Sequence, residues 1–169
     1  MNKQLSIVIP CYNESKNLEK LIINISNAIK NVKHNIEVVI VNNGSTDDSR
    51  MQLETLTSNI EYIKILNIKK NVGYGRGILE GLKITEGKFM GWTHADLQCD
   101  FIDCINGFDL IFEEYKKNKK IMVKGKRKNR NFIDNLFTFF MSIFVMVFFR
   151  KKIFDINAQP KIFERSLYD

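Results

Sequence analysis

The chain has 169 residues, 44% of them hydrophobic, and this length and composition predict one globular domain with its own core. Its net charge is +7, but 12 of its 26 basic residues lie in two short stretches, 116–130 and 150–152. In the rest of the chain, 14 basic residues are outnumbered by 19 acidic ones, which argues against a uniformly basic nucleic-acid binder. The first residues do not resemble a secretory leader, and three cysteines without metal-site spacing favour a reducing, cytoplasmic setting.

Apolar runs alternate with amphipathic segments along the first 130 residues. The runs are rich in β-branched residues, as is typical of parallel strands, and lie at 5–10, 36–41, 60–66, 88–93 and 121–124. Apolar residues recur at helical spacing in the segments 15–31, 45–56, 74–85 and 100–117. We expect Ser45 or Thr46 to cap the second of these helices. The alternation predicts an α/β fold with a largely parallel sheet.

Polar segments follow the predicted strands, at what would be the carboxyl edge of the sheet. They include residues 10–14, 42–48, 71–77 and 93–98. Ligands of open α/β sheets bind at this edge. Asp96 is placed there to hold a divalent cation against a diphosphate, although it could instead cap the following helix. The glycines of 71–77 can admit a phosphate to a helix N-terminus, but a tight turn explains them equally well.

The segment 132–149 is almost wholly apolar and predicts a helix near the end of the chain. Its uninterrupted part, 136–149, is short for a membrane span. Basic stretches flank it on both sides, which favours a helix lying in an anionic membrane surface. The alternative is a buried core helix.

Five motifs at these strand ends resemble those of family 2 glycosyltransferases, in particular the branch that transfers sugars to polyprenyl or dolichol phosphate. They are IPCYNE at 9–14, VNNGSTD at 41–47, NVGYG at 71–75, ADLQ at 95–98 and GKR at 125–127. The resemblance implies a GT-A fold, which is a Rossmann-like three-layer sandwich. Residues 1–130 would bind the nucleotide-sugar, and residues 131–169 would form an acceptor-side or membrane-interface segment of the same domain. Many relatives continue further, so a truncated domain is also compatible with the resemblance.

The resemblance also implies the reaction and its site. The reaction would be a metal-dependent, inverting transfer from a nucleotide-sugar donor to a polyprenyl phosphate or a lipid-linked or glycan acceptor, at the inner face of the membrane. Asp96, with His94 as a second candidate ligand, would hold Mg²⁺ or Mn²⁺. Arg127 would bind an anionic acceptor or the diphosphate. Asp155 would be the general base if the acceptor is a hydroxyl, although a helix-end cap explains this residue equally well. The nucleotide-sugar pocket would be formed by Pro10, Tyr12, Glu14, Asn43, Gly73, Ala95, Asp96 and Gln98.

Three residues depart from the family pattern. Asn42 and Asn43 stand where the family usually has acids, and an amide adds an NH₂ donor while removing the charge. We therefore expect Asn43 to contact the base or ribose and to change the nucleotide preference. His94 replaces the first acid of the metal motif and would be a metal ligand, a donor to phosphate, or a residue packed under the loop.

The sequence also bears on other classes of function. A non-catalytic nucleotide-sugar-binding module is the main alternative, because three acids of the pattern are missing. A Rossmann oxidoreductase would require Gly-x-Gly-x-x-Gly directly after the first strand, and residues 10–14 do not supply it. Nucleic-acid binding through 116–130 is disfavoured, since no aromatic residues alternate with these charges.

Overall fold

The computed structural model describes residues 3–117, 121–127, 132–150, 155 and 157–169. Its strands are β1 Leu5–Cys11, β2 Ile36–Asn43, β3 Ile63–Ile68, β4 Phe89–Trp92, β5 Met122–Lys124 and β6 Lys161–Glu164. They form one sheet in the order β3-β2-β1-β4-β6-β5. β1 to β4 are mutually parallel, and β6 is antiparallel to both β4 and β5. The predicted α/β class with a largely parallel sheet is confirmed.

Helices cover both faces of this sheet. They are α1 Leu18–Ile29, α2 Ser49–Thr57, α3 Tyr74–Lys83, α4 Ile102–Lys116 and α5 Phe132–Phe149, and a 3₁₀ turn, Arg165–Leu167, follows β6. One core joins alternate residues of β1 to α1, α2 and α4, while the second joins Val8 and Val41 to α3. Because β1 is buried on both faces, its sequence is apolar apart from Ser6 rather than alternating.

Two predicted boundaries are wrong because local hydrogen bonds replace regular structure. α2 begins at Ser49 rather than at Ser45 or Thr46. The Thr46 N–H instead donates to the Asn13 side chain (2.8 Å), and the Ser49 N–H donates to Asp47 (3.0 Å). The third strand begins at Ile63 rather than at residue 60, since the Ile63 N–H donates to the Ile60 carbonyl and closes a turn.

The strand β6 was not predicted from the sequence. It has four residues and lies between β4 and β5 in the sheet. A strand from the segment 131–169 therefore completes the sheet whose other strands come from residues 1–130. Its outer residues are Lys161 and Glu164, which gives it little of the apolar pattern on which strand prediction depends.

The predicted apolar helix is present as α5. Most of its described side chains are exposed, including Phe139 (60%) and Phe148 (69%), whereas Val145 is buried at 5%. The alternative of a buried core helix is therefore wrong for the exposed side chains of α5. Over the described ranges, no helix has the length and apolar character needed to cross a membrane.

Candidate functional site

An open cleft of about 220 Å³ lies over the carboxyl ends of β1, β2 and β4. In the sheet, β2 and β3 lie on one side of β1 and β4 on the other, so the strand order reverses beside β1. Ligands of open α/β sheets bind at such a switch point. The lining residues are Pro10, Cys11, Tyr12, Glu14, Asn43, Asn71, Tyr74, His94, Ala95 and Asp96.

Most of the residues predicted for the nucleotide pocket and metal lie in this cleft. Gly73 and Gln98 are the exceptions, because neither contributes to the lining. Each contacts a lining residue: the Gly73 carbonyl accepts a hydrogen bond from Asn43 (3.1 Å), and the Gln98 N–H donates to Asp96 (3.1 Å). These two residues thus contact the cleft lining without belonging to it.

Asp96 closes a local turn after β4 and does not cap α4. Its Oδ1 accepts the Gln98 N–H, whereas α4 has Phe101 as its N-cap residue. The first N–H of α4, from Ile102, is taken by Asp100 (3.0 Å). The capping interpretation of Asp96 is thus wrong, and a half-buried carboxylate lies at the wall of the cleft.

His94 stacks on Tyr74 across the cleft. Their ring centroids are 5.3 Å apart at an angle of 21°, and the Tyr74 hydroxyl lies 3.2 Å from His94 Nδ1. Burial lowers the pKa of His94 although Asp96 opposes this shift, so the ring is neutral at neutral pH. Burial and the nearby Asp96 raise the pKa of Tyr74 to about 12. A neutral imidazole beside a phenol can ligate a metal or hydrogen-bond a phosphate oxygen.

Asn43 is 3% exposed and uses both ends of its amide to hold the 71–73 loop. Its Nδ2 donates to the Gly73 carbonyl (3.1 Å) and to the Asn71 side chain (3.4 Å), while its Oδ1 accepts the Val72 N–H (3.2 Å). Asn42 behaves similarly, because its Nδ2 donates to the Asn67 side chain at 2.8 Å. An aspartate at position 43 could still accept the Val72 N–H but could not donate to Gly73 or Asn71.

Arg127 and Asp155 form an ion pair beside the cleft rather than in its lining. Arg127 donates to the Asp155 carboxylate through its backbone N–H (3.0 Å) and its Nε (2.8 Å) as well as through Nη2, and Nη2 also reaches Thr138 of α5. Burial alone would raise the pKa of Asp155, but the hydrogen bonds from Arg127 lower it overall. A low pKa makes this carboxylate a weak base.

The order and spacing of these strand ends agree with a known family. The sequence profile of Glycosyl transferase family 2 matches residues 6–156. The chain belongs to glycosyl transferase family 2. The chain is 28% identical to the dolichyl-phosphate beta-glucosyltransferase of Dictyostelium discoideum, over 98% of this chain and 55% of that protein. It is 33% identical to the dolichol-phosphate mannosyltransferase of Pyrococcus furiosus, over 70% of this chain and 35% of that protein.

A solved structure shares the fold of this family 2 chain. It is a mannosyltransferase from Pyrobaculum calidifontis in complex with GDP-Man and Mn²⁺, with a TM-score of 0.69 and 18% identity over 99% of this chain and 46% of that one. The chain thus spans about half the length of its relatives, or less. The GT-A-type fold implied by the motifs is confirmed.

Three lining residues were not predicted as site residues of this family 2 domain: Cys11, Asn71 and Tyr74. All three fall inside two of the motifs, Cys11 in IPCYNE and Asn71 and Tyr74 in NVGYG, but they were not singled out as site residues. Burial raises the pKa of Cys11 to about 12, which keeps it a neutral thiol. The stacking of Tyr74 on a residue 20 positions away has no signal in the sequence.

The donor set suits a hard divalent cation shared with a substrate. Among the residues that the structure describes, no group of three or more His, Cys, Asp or Glu side chains could hold a metal without other ligands. Mg²⁺ and related ions commonly bind one or two carboxylates and complete their shell with substrate phosphates and water. Asp96, with His94 beside it in the cleft wall, fits that arrangement.

Proposed function

We propose that this domain transfers a sugar from a nucleotide-sugar donor to the phosphate group of a polyprenyl phosphate, with inversion at the anomeric carbon. The observation that carries the proposal is the cleft at the switch point of the sheet, with Asp96 in its wall. Family membership supports it, and so do relatives named as dolichyl- and dolichol-phosphate sugar transferases. A lipid-linked or glycan hydroxyl is the other acceptor class.

The donor would occupy the cleft. Pro10, Tyr12 and Glu14 would border the nucleoside, with Asn43 and Gly73 shaping the loop behind it. The diphosphate would lie against Ala95 and Asp96. Mg²⁺ or Mn²⁺ held by Asp96 would neutralise the charge that develops on the leaving nucleoside diphosphate. The Mn²⁺ in the Pyrobaculum mannosyltransferase is consistent with this choice of ion.

The transfer itself needs little from the protein beyond positioning. An acceptor phosphate oxygen attacks the anomeric carbon from the face opposite the nucleotide. The new C–O bond forms as the bond to the diphosphate breaks, and the electron pair of the broken bond leaves with the diphosphate. A phosphate is already ionised at neutral pH, so no side chain has to remove a proton. Asp155 would then orient Arg127 rather than act as a base.

We further propose that the protein works at the inner face of a membrane, bound peripherally through α5. The exposed aromatic residues of α5 provide an apolar surface, and the basic stretches 116–130 and 150–152 lie on either side of it in the sequence. Each Lys or Arg near an anionic surface contributes about 1 kcal/mol to binding. Such attachment would bring the cleft close to a lipid-borne phosphate.

The departures at Asn42, Asn43 and His94 favour one alternative, a module that binds nucleotide-sugars without transferring the sugar. One experiment decides between them. The purified chain is incubated with a panel of nucleotide-sugars, short-chain polyprenyl phosphate and Mn²⁺ or EDTA, and the lipid fraction is analysed by mass spectrometry. We expect one glycosyl-phosphate lipid that forms only with metal. Metal-dependent donor binding without any product would instead establish the binding module.

A further inference from the structure

A row of side chains beside the cleft combines two lysines and one tryptophan across three strands. Lys161 of β6 is the register partner of Trp92 in β4 and of Lys124 in β5. Side chains of directly opposed residues share one face of the sheet. The row lies at the end of β4 from which His94 and Asp96 follow, and so at the same edge as the donor cleft.

The pairing of Lys124 with Lys161 is unfavourable by itself. Like charges directly opposite each other in a sheet repel, and Lys161 is half-buried. Arg127 adds a third cation. Among the described residues, the Asp155 carboxylate lies in this group, but it already binds Arg127. Within the described ranges, the hydrogen bond of Lys124 Nζ goes to the Asp155 backbone carbonyl (3.4 Å) and not to its carboxylate. Positive charge is therefore in excess here.

Lys161 is held in place rather than extended into solvent. Its Nζ lies 5.2 Å from the centroid of the Trp92 ring. The hydrogen-bond partners of the Gln159 amide orient its oxygen toward Trp92 Nε1 (3.1 Å) and Lys161 Nζ (3.2 Å). An ammonium group has three donors, so one neutral acceptor leaves capacity for an anion. Burial and the neighbouring Lys124 lower the pKa of Lys161, and a bound anion would reverse this effect.

The position of the row relative to the donor cleft indicates which anion it takes. The cleft is over β1, β2 and β4, whereas the row extends from β4 toward β6 and β5, and none of its residues lines the cleft. Residues 93–98 lie between the two, with His94 within electrostatic reach of Lys161 and Arg127. A phosphate on the row would thus approach a donor sugar from the side opposite its nucleotide.

We infer that Lys161, with Lys124, binds the phosphate group of the acceptor. The inference rests on the proposed function for the identity of the reaction, while the site itself rests on the cationic row. Arg127, whose guanidinium is engaged by Asp155, lies beside the site, and Lys161 supplies donors that the residues described by the structure leave unengaged. Sequence analysis missed this residue because β6 itself was not predicted.

The test is calorimetric titration of the full chain with farnesyl phosphate, inorganic phosphate and farnesol, without donor. We expect farnesyl phosphate to bind, farnesol not to bind, and Lys161→Gln to weaken farnesyl phosphate binding roughly tenfold or more, since charge-assisted hydrogen bonds are lost. Lys161→Arg should retain binding within a few-fold. Lys20→Gln, which removes an exposed lysine of α1, is the charge-matched control and should change nothing.

Each outcome bears on the inference. Unchanged farnesyl phosphate affinity in Lys161→Gln overturns the inference. An equal loss of farnesyl phosphate binding and of Mn²⁺-dependent UDP or GDP binding also overturns it, because it would assign the lysine to the donor site. Inorganic phosphate that binds as tightly as farnesyl phosphate, and with the same dependence on Lys161, would support the inference, since the site then recognises the phosphate group itself. If Lys161→Gln does not fold, Lys124→Gln on the edge strand β5 decides. If farnesyl phosphate binding depends on Lys161 but no sugar is transferred, the phosphate site is supported and the proposed function is wrong. If sugar is transferred but no phosphate binds at Lys161, the proposed function is supported and the phosphate site is wrong.

Discussion

Asn43 and Asn42 occupy acidic positions of the family pattern, yet their amides are built into the fold. The sequence correctly located Asn43 at the carboxyl end of β2 and in the cleft wall. It could not indicate that the amide would bind the 71–73 loop, because those contacts join residues 28 to 30 positions apart. Strand ends can be predicted from sequence, whereas the hydrogen-bond partners of a polar side chain depend on the folded chain.

We expect Asn43→Asp to destabilise the domain by about 1–2 kcal/mol, because a buried donor to the Gly73 carbonyl is replaced by a carboxylate oxygen. Urea unfolding measures this change, and a panel of nucleotide-sugars measures any change of donor preference. Asn71→Asp is the matched control, since the Asn71 side chain uses only its oxygen as an acceptor in this loop. Equal stability of wild type and Asn43→Asp would show that the hydrogen bonds from Asn43 to the 71–73 loop do not contribute to stability.

At the scale of secondary structure, the elements of the first 130 residues were predictable, including the short strands β4 and β5, whereas β6 was not. The four amphipathic helices and the strands β1 and β2 were identified within a few residues. β3 begins later than expected because a turn precedes it, and β6 was missed because its four residues carry charges at both ends. The sequence favoured an exposed α5 over a buried one, but a uniformly apolar run does not indicate which of its residues pack against the domain.

The membrane role of α5 has a direct test in vesicle flotation. We expect the double variant Phe139→Ser, Phe148→Ser to lose binding to anionic vesicles at low salt, since each exposed Phe would contribute about 2 kcal/mol on burial. Its urea unfolding midpoint should remain that of the wild type. Val145→Ser is the converse control: this residue is buried, so its substitution should lower stability. Binding to neutral vesicles as strong as to anionic ones would contradict the interfacial helix.

At the scale of the whole molecule, a polar network at the edge opposite the cleft joins β1, β2 and β3. Glu37 is 1% exposed and accepts hydrogen bonds from Ser6 (2.5 Å) and from the Glu86 N–H (2.7 Å), and its other oxygen pairs with Lys64 at 2.8 Å. Burial alone would raise the pKa of Glu37, but these partners lower it overall. The functional edge and the stabilising edge of the sheet are thus separate.

Glu37→Gln should cost about 1–3 kcal/mol of unfolding free energy at pH 7, because the ion pair with Lys64 is lost from a buried site. The folded pKa of Glu37 is lowered, so its contribution is complete above the unfolded pKa and disappears as the pH falls through the folded value. The stability difference between wild type and variant should therefore shrink on acidification. Glu54→Gln, at an exposed pair with Arg50, should change stability by less than about 0.5 kcal/mol. A difference independent of pH would contradict this account.

The overall architecture was the most predictable level. Alternating strands and helices predicted the sheet, and five motifs at strand ends identified the family, which the profile match over residues 6–156 confirmed. The cationic row of Lys124 and Lys161 could not be found, because it requires the pairing of β5 with β6. Sequence patterns locate elements and their ends, while sites made by neighbouring antiparallel strands emerge only from the assembled sheet.

The most direct test of the central claim is calorimetric titration of UDP and GDP into wild type and Asp96→Asn, with and without Mn²⁺. We expect the wild type to bind one nucleotide with an affinity that depends on Mn²⁺, and Asp96→Asn to lose that dependence, because the carboxylate in the cleft wall is removed. Asp48→Asn is the matched control, since this exposed carboxylate makes no side-chain capping bond to α2. Metal-dependent binding of the same strength in Asp96→Asn would contradict the account.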